Sequence, residues 1–276
     1  MRLISAAKII NTVSRLCIEA NLVLPAGVLL KLKGAYAKET NKRAKQVLKA
    51  IIDNAAIARK EKLAICQDTG MPVVFAEIGE GARVPVDLTG LINKGIEIGY
   101  RKANLRNSVV LNPLERKSPA YSPGIIHFNI VKGNKIRFTV LPKGFGCENK
   151  TQLKMFRPTA KISEIKEFIV DAVKSAGADA CPPYIVGAGI GGTADYAAFL
   201  AKKALLRPIT NERRPTTKLE QDLLREINKL NIGPMGLGGK TTALSVNIET
   251  YPTHIAGLPV VVNISCHALR SATAVI

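Results

Sequence analysis

The sequence has no tryptophan, only three histidines, and aromatic residues make up 5% of it. That scarcity matters because the chain is also short of acid: 40 Lys and Arg face 21 Asp and Glu, a formal net charge of +19. Basic nucleic-acid binders interleave their cations with stacking aromatics, or carry finger or RNP spacings. Here the cations are scattered and neither spacing occurs, so no nucleic-acid partner is expected. Attraction to an acidic protein partner or an anionic substrate remains. The histidines make no HExxH or other zinc spacing, and no GxSxG nucleophile elbow is present. No apolar run approaches the roughly 20 residues of a membrane span. The N-terminal MRLISAAKIINTVSRLC is interrupted by Lys8, Asn11, Ser14 and Arg15 and does not read as a signal peptide. The expectation is a cytoplasmic protein with no membrane association.

Cysteine is sparse too. There are five, at 17, 66, 147, 181 and 266, an odd number with no CxxC. That pattern argues against a secreted disulfide framework and for thiols or metal ligands.

What is present is an ordinary globular composition, 47% hydrophobic and 22% charged over 276 residues, long enough to bury a core. Residues 1–60 read as helices: one up to Pro25, one over Val28–Tyr36 and one over Lys42–Ala58. Then the texture changes. Pro72–Ile78 reads as a strand, and Leu88–Arg101 as a helix. His127–Val131 and Lys135–Leu141 flank Gly133-Asn134, a hairpin signal. Ser163–Ala176 is a helix with Ser163 as its N-cap. Strands over Leu244–Ile248 and Leu258–Ile264 follow two more helices, Ala194–Leu206 and Leu219–Leu230. Residues 207–217 form a polar, proline-punctuated loop. The fold class is α+β, mixed β-sheets flanked by helices after a helical N-terminal segment. A single domain over 1–276 is expected, its helical part about 1–60 and its mixed α/β part about 61–276.

Two familiar motifs fail on inspection. Gly187–Gly192 fits GxGxxG, but no second strand ending in an acidic residue follows about 20 positions on. Gly239-Lys240-Thr241 matches the end of a P-loop, but the required earlier glycine is Pro234. His127 falls in a strand pattern and reads as structural, and His267, next to Cys266, is left open. Cys66, Cys181 and Cys266 each lie near an apolar run and beside a turn, where a side chain can face a cavity. Spacing alone does not make them ligands.

The strings AICQDTGMPVVFAEIG (64–79), LRNSVV (105–110), KGFGCENK (143–150), CPPYIVGAGIGGTAD (181–195), NKLNIGPMGLGGKTTAL (228–244) and HIAGLPVVVNISCHALR (254–270) occur in this order. Together they resemble the alpha subunit, or N-terminal catalytic domain, of class I iron–sulfur fumarate hydratases and L-tartrate dehydratases. The resemblance implies a [4Fe-4S] cluster with one open iron, held by Cys66, Cys181 and Cys266. It implies a hydro-lyase acting on a small dicarboxylate: fumarate to L-malate and back, or alternatively L-tartrate, or a cluster-binding relative without catalysis. By the same resemblance Asp68 is the catalytic carboxylate, while Gln67, Arg106, Gly146 and His254 bind substrate. The family's second half is missing from the chain. A separate beta subunit is therefore expected, in a heterotetramer of two alpha and two beta subunits (α2β2). The chain departs from the family at Cys147, where a serine is usual, and at residues 117–123, where a polar NTGDN-like stretch is usual.

Overall fold

The computed structural model describes residues 2–85, 87–209 and 216–276. Its helices are α1 (Ala6–Leu22), α2 (Ala26–Lys38), α3 (Lys42–Glu61), α4 (Leu88–Lys102), α5 (Phe145–Glu148), α6 (Ile162–Ala176), α7 (Ala194–Ala204) and α8 (Lys218–Lys229). The longer strands are β2 (Met71–Gly79), β6 (Ile125–Val131), β7 (Ile136–Lys143), β8 (Gln152–Phe156), β9 (Tyr184–Gly191), β10 (Ala243–Tyr251), β11 (Leu258–Ser265) and β12 (Ala272–Val275). The two-residue strands β1 (Arg2–Leu3), β3 (Ala82–Arg83), β4 (Val109–Val110) and β5 (Pro119–Ala120) complete them. The arrangement is α+β, as the patterning indicates.

Where the sequence suggests one domain, the residues group into two compact units. The first comprises 1–25, 55–145 and 270–276, and the second 26–54 and 146–269. The helical N-terminal segment is thus shared out rather than forming a part of its own.

The first unit is built on a sheet ordered β12-β7-β2-β6. Alternation along β7 turns Ile136, Phe138 and Val140 to a core they share with Ile9, Val13 and Leu16 of α1 and Ile92 and Ile96 of α4. Each such side chain, fully buried, is worth about 1.5–3 kcal/mol. Ala6–Lys38 is apolar and long enough to cross a membrane by length and composition. It is nevertheless two helices, and Ile9, Val13, Leu16 and Cys17 of α1 lie in this core at 0% exposure. Helix starts are set locally: the Ser5 and Asp87 side chains accept from the amides of Lys8 (3.3 Å) and Gly90 (2.8 Å), capping α1 and α4.

The expected hairpin at Gly133-Asn134 does not form. The turn is there, but β2 lies between the two strands, parallel to β6 and antiparallel to β7. Strand β2 is mostly buried, and burial on both faces makes a strand central. The turn closes over its end instead, where the amides of Gly79 and Gly81 donate to the carbonyls of Lys135 and Gly133.

The second unit is built on a sheet ordered β10-β9-β11-β8, with β10 parallel and β11 antiparallel to β9. Ile169 and Val173 of α6, Leu223 and Ile227 of α8, and Val186, Val260 and Ile264 of the strands fill its core. Gly187 and Gly189, part of the GxGxxG match, lie inside β9. A Cβ there would stand 2.2 and 2.0 Å from the carbonyl oxygens of Ala201 and Ala197 in α7, so these glycines let that helix approach the strand. Helix α6 begins at Ile162 rather than after Ser163. The Glu164 carboxylate accepts from the Lys161 amide at 2.7 Å and closes that end. The P-loop-like end is excluded by its surroundings. The Glu39 carboxylate, not a phosphate, accepts from the Lys240 amide at 2.8 Å. Of the expected loop over 207–217, residues 210–215 lie outside the described residues.

Candidate active-site elements

In the first unit, the site is the turn Cys66–Gly70 that leads into β2. Gly70 has φ +73° and sits against the chain at Pro142 and Lys143, where a Cβ would come within 2.7 Å of backbone. Only glycine meets both demands. The Asp68 carboxylate accepts from the Gly70 amide (3.0 Å) and from the Phe145 amide (2.8 Å). It therefore ties the turn to the chain leaving β7. The Asp68 carbonyl accepts from the Arg270 guanidinium, a side chain 3% exposed. The Tyr100 hydroxyl of α4 lies 3.0 Å from the Thr69 carbonyl and 3.3 Å from that of Gly70. Burial drives the Tyr100 phenol far above its usual range, so it stays a donor. The Arg106 amide donates to Thr69 Oγ1 at 3.1 Å.

Asp68, Arg106 and Cys66 are thus on one tied assembly. Cys66 is half-buried, its sulfur 3.6 Å from Gln67 Oε1. The Gln67 and Arg106 side chains are exposed to solvent.

In the second unit, Cys181 precedes β9 and Cys266 follows β11. Those strands are antiparallel with Ser265 opposite Ile185, so both cysteines fall at one end of the sheet. His267, left open by the sequence, joins them. Its amide donates to the Cys181 carbonyl at 3.4 Å, and its Nδ1 lies 3.0 Å from the same oxygen. Cys181 has a left-handed backbone (φ +59°) that non-glycine residues rarely adopt. The next carbonyl, of Pro182, accepts from the Met235 amide at 2.8 Å. Gly146 is exposed, with nothing within 4 Å of where a Cβ would stand.

His254 is not brought to this pair. It lies in the exposed loop between β10 and β11, at the opposite end of the sheet from Cys181 and Cys266. Its Nδ1 accepts from the Ala256 amide at 3.2 Å, which assigns Nε2 as the N–H donor.

The chemistry of the five thiols separates them. Cys17 is 0% exposed in α1, and burial pushes its thiol up to about 12. It cannot readily become the thiolate that a metal needs. Cys147 is buried and its S–H donates to the Ala180 carbonyl at 3.3 Å. Cys66, Cys181 and Cys266 are all half-buried, Cys66 in a bend and the other two beside turns, which suits thiolate ligands of an iron–sulfur cluster. Among the described residues, no three His, Cys, Asp or Glu side chains form a ready-made site for a single metal ion.

Sequence reasoning missed Tyr100, Thr69 and Arg270. Each takes part in a bond with backbone across 30 or more positions; Thr69 and Arg270 fall inside the strings over 64–79 and 254–270, but nothing in those strings pointed to these bonds.

The chain matches the family model described as fumarate hydratase (Fumerase) over residues 10–275. It is 42% identical over 275 residues to a protein of Methanocaldococcus jannaschii provisionally named L(+)-tartrate dehydratase subunit alpha, covering 96% of each chain. It is 30% identical over 257 residues to the L(+)-tartrate dehydratase subunit alpha of Escherichia coli strain K12, covering 91% of this chain and 84% of the relative. The Shigella sonnei protein of the same name matches equally. Hydratase and dehydratase name two directions of one class of reaction, that of the hydro-lyases. The chain belongs to the fumarate hydratase family.

Proposed function

We propose that the chain is the alpha subunit of a [4Fe-4S]-dependent hydro-lyase that interconverts fumarate and L-malate, with Cys66, Cys181 and Cys266 holding the cluster. The observation that carries this reading is the family match over residues 10–275. The sorting of the thiols supports it, since the three implied ligands are the three that are half-buried at turns. When bound, a cluster with three protein thiolates for four irons supplies an open iron that polarises a hydroxyl group.

The remaining work falls to side chains. Arg106, exposed beside the turn, offers a planar fork that matches a substrate carboxylate. Gln67 offers an amide, and Gly146 an open approach to backbone N–H. Asp68 is held by two amide donors, so its carboxylate is fixed in direction. We assign it to proton transfer through a group of the partner subunit. His254 as a carboxylate ligand is the part of the reading that the geometry supports least.

L-Tartrate dehydration is a second reading, favoured by the names of the M. jannaschii and E. coli relatives. Those names, each "subunit alpha", also support a separate beta subunit, and we propose an α2β2 heterotetramer working in the cytoplasm. The test is co-purification with the beta subunit, anaerobic loading with iron and sulfide, and comparison of kcat/KM for fumarate, L-malate and L-tartrate. Turnover of fumarate at least tenfold above L-tartrate supports the first reading and the reverse supports the second. No turnover of any of them by an iron-loaded pair overturns both.

A further inference from the structure

We infer that Arg270 is a positioning residue that sets the orientation of Asp68 and the turn bearing Cys66. The inference rests on the proposed site but not on its chemistry. Arg270 is 3% exposed, and its guanidinium donates to the main-chain carbonyl of Asp68. A guanidinium stays charged in proteins, and burying it this deeply costs several kcal/mol unless it is well coordinated. A residue kept under that cost does something that an apolar side chain cannot.

What it does follows from the rest of the turn. The Asp68 carboxylate is already engaged by the amides of Gly70 and Phe145, and Thr69 by Tyr100 and the Arg106 amide. Arg270 supplies a donor for a peptide group that none of those bonds reaches, the carbonyl of Asp68 itself. With that carbonyl fixed, the Asp68 side chain can make its two amide bonds and Cys66, two residues earlier, is aimed. Without it, the peptide can rotate, and both ends of the turn move together. A misplacement of about 1 Å at a catalytic group can cost about 100-fold in rate.

The test uses the chain with its beta subunit, loaded with iron and sulfide, as wild type, Arg270→Lys and Arg270→Met. Amide hydrogen exchange at Gly70 and Phe145, iron per chain, kcat and KM are measured on each. Arg270→Met is expected to exchange both amides at least tenfold faster, and to lose about 100-fold in kcat with KM little changed. Arg270→Lys, which keeps a cationic donor, is expected to recover most of both. The same exchange result in the chain before loading supports positioning even if no substrate turns over, so failure of the proposed reaction and failure of this inference are told apart. Unchanged amide exchange in Arg270→Met overturns the inference. So does a loss confined to folding yield and melting temperature, with normal kcat per iron-loaded molecule.

Discussion

The two cysteine-bearing regions are held by different means. In the first unit, the turn Cys66–Gly70 is tied by bonds to residues 31 to 202 positions away: Tyr100, Arg106, Phe145 and Arg270. In the second, the pairing of β9 with β11 delivers Cys181 and Cys266 to one end of a sheet, and one histidine fastens the ends. The first arrangement depends on single side chains, and the second on strand register, which a whole sheet enforces. Point changes at the turn should therefore upset the site out of proportion to stability, whereas changes in the second unit should first be felt as stability.

The largest effect is expected at Gly70→Ala. A left-handed backbone plus a Cβ within 2.7 Å of the chain at Pro142 should cost about 2–4 kcal/mol, read by urea unfolding, with loss of bound iron. An alanine variant that keeps its iron breaks the comparison. Next comes Glu220→Gln in the second unit. Burial alone would raise the Glu220 carboxyl. The Thr217 and Ile248 amides and the Arg207 guanidinium, at 2.7 Å, outweigh it and hold the carboxyl below its usual range. Its stabilisation is therefore complete above the unfolded value of about 4.3 and is lost as pH falls through the lower folded value. Glu220→Gln should lose about 2 kcal/mol at neutral pH and show a flatter acid limb in thermal melts from pH 7 to 3, while keeping its iron. Loss of iron here would erase the contrast between the units.

His267→Ala sharpens the contrast. Removing the Nδ1 contact to the Cys181 carbonyl should cost about 1 kcal/mol and speed the loss of iron to a chelator, followed by absorbance. Cys147→Ser is expected to be the mildest. A hydroxyl can replace the thiol as donor to the Ala180 carbonyl, so chemical unfolding should shift by less than about 1 kcal/mol and iron per chain should not change.

The same contrast explains what was legible beforehand. The strand pattern placed Cys266 just after Leu258–Ile264, whereas Cys181 was read only as lying near an apolar run and beside a turn; the structure brings the two to one sheet end. The pairing of β6 and β7 was misread because turn chemistry reports where a chain reverses, not which strand lies beside it. Strand β2, 54 positions before the start of β6 in the chain, takes that place. The glycines of β9 matched a GxGxxG fingerprint, while their actual cause, the close approach of α7, is tertiary. Asp68 was found through CQDTG, but its two amide donors were not, because Phe145 lies 77 residues on. Arg270 ends a recognised string, but its bond to Asp68, 202 positions away, left no trace in that string, and His254 was placed with the site by resemblance while its loop lies at the far end of its sheet.

The most direct test of the account is anaerobic reconstitution with iron and sulfide, counted per chain for wild type and for alanine at each cysteine. About four irons are expected in wild type, as a cysteine-held cubane requires. They are expected to be lost in Cys66→Ala, Cys181→Ala and Cys266→Ala and retained in Cys17→Ala and Cys147→Ala. A wild-type chain that binds no cluster, or one that loses it only when Cys147 is replaced, would contradict the account.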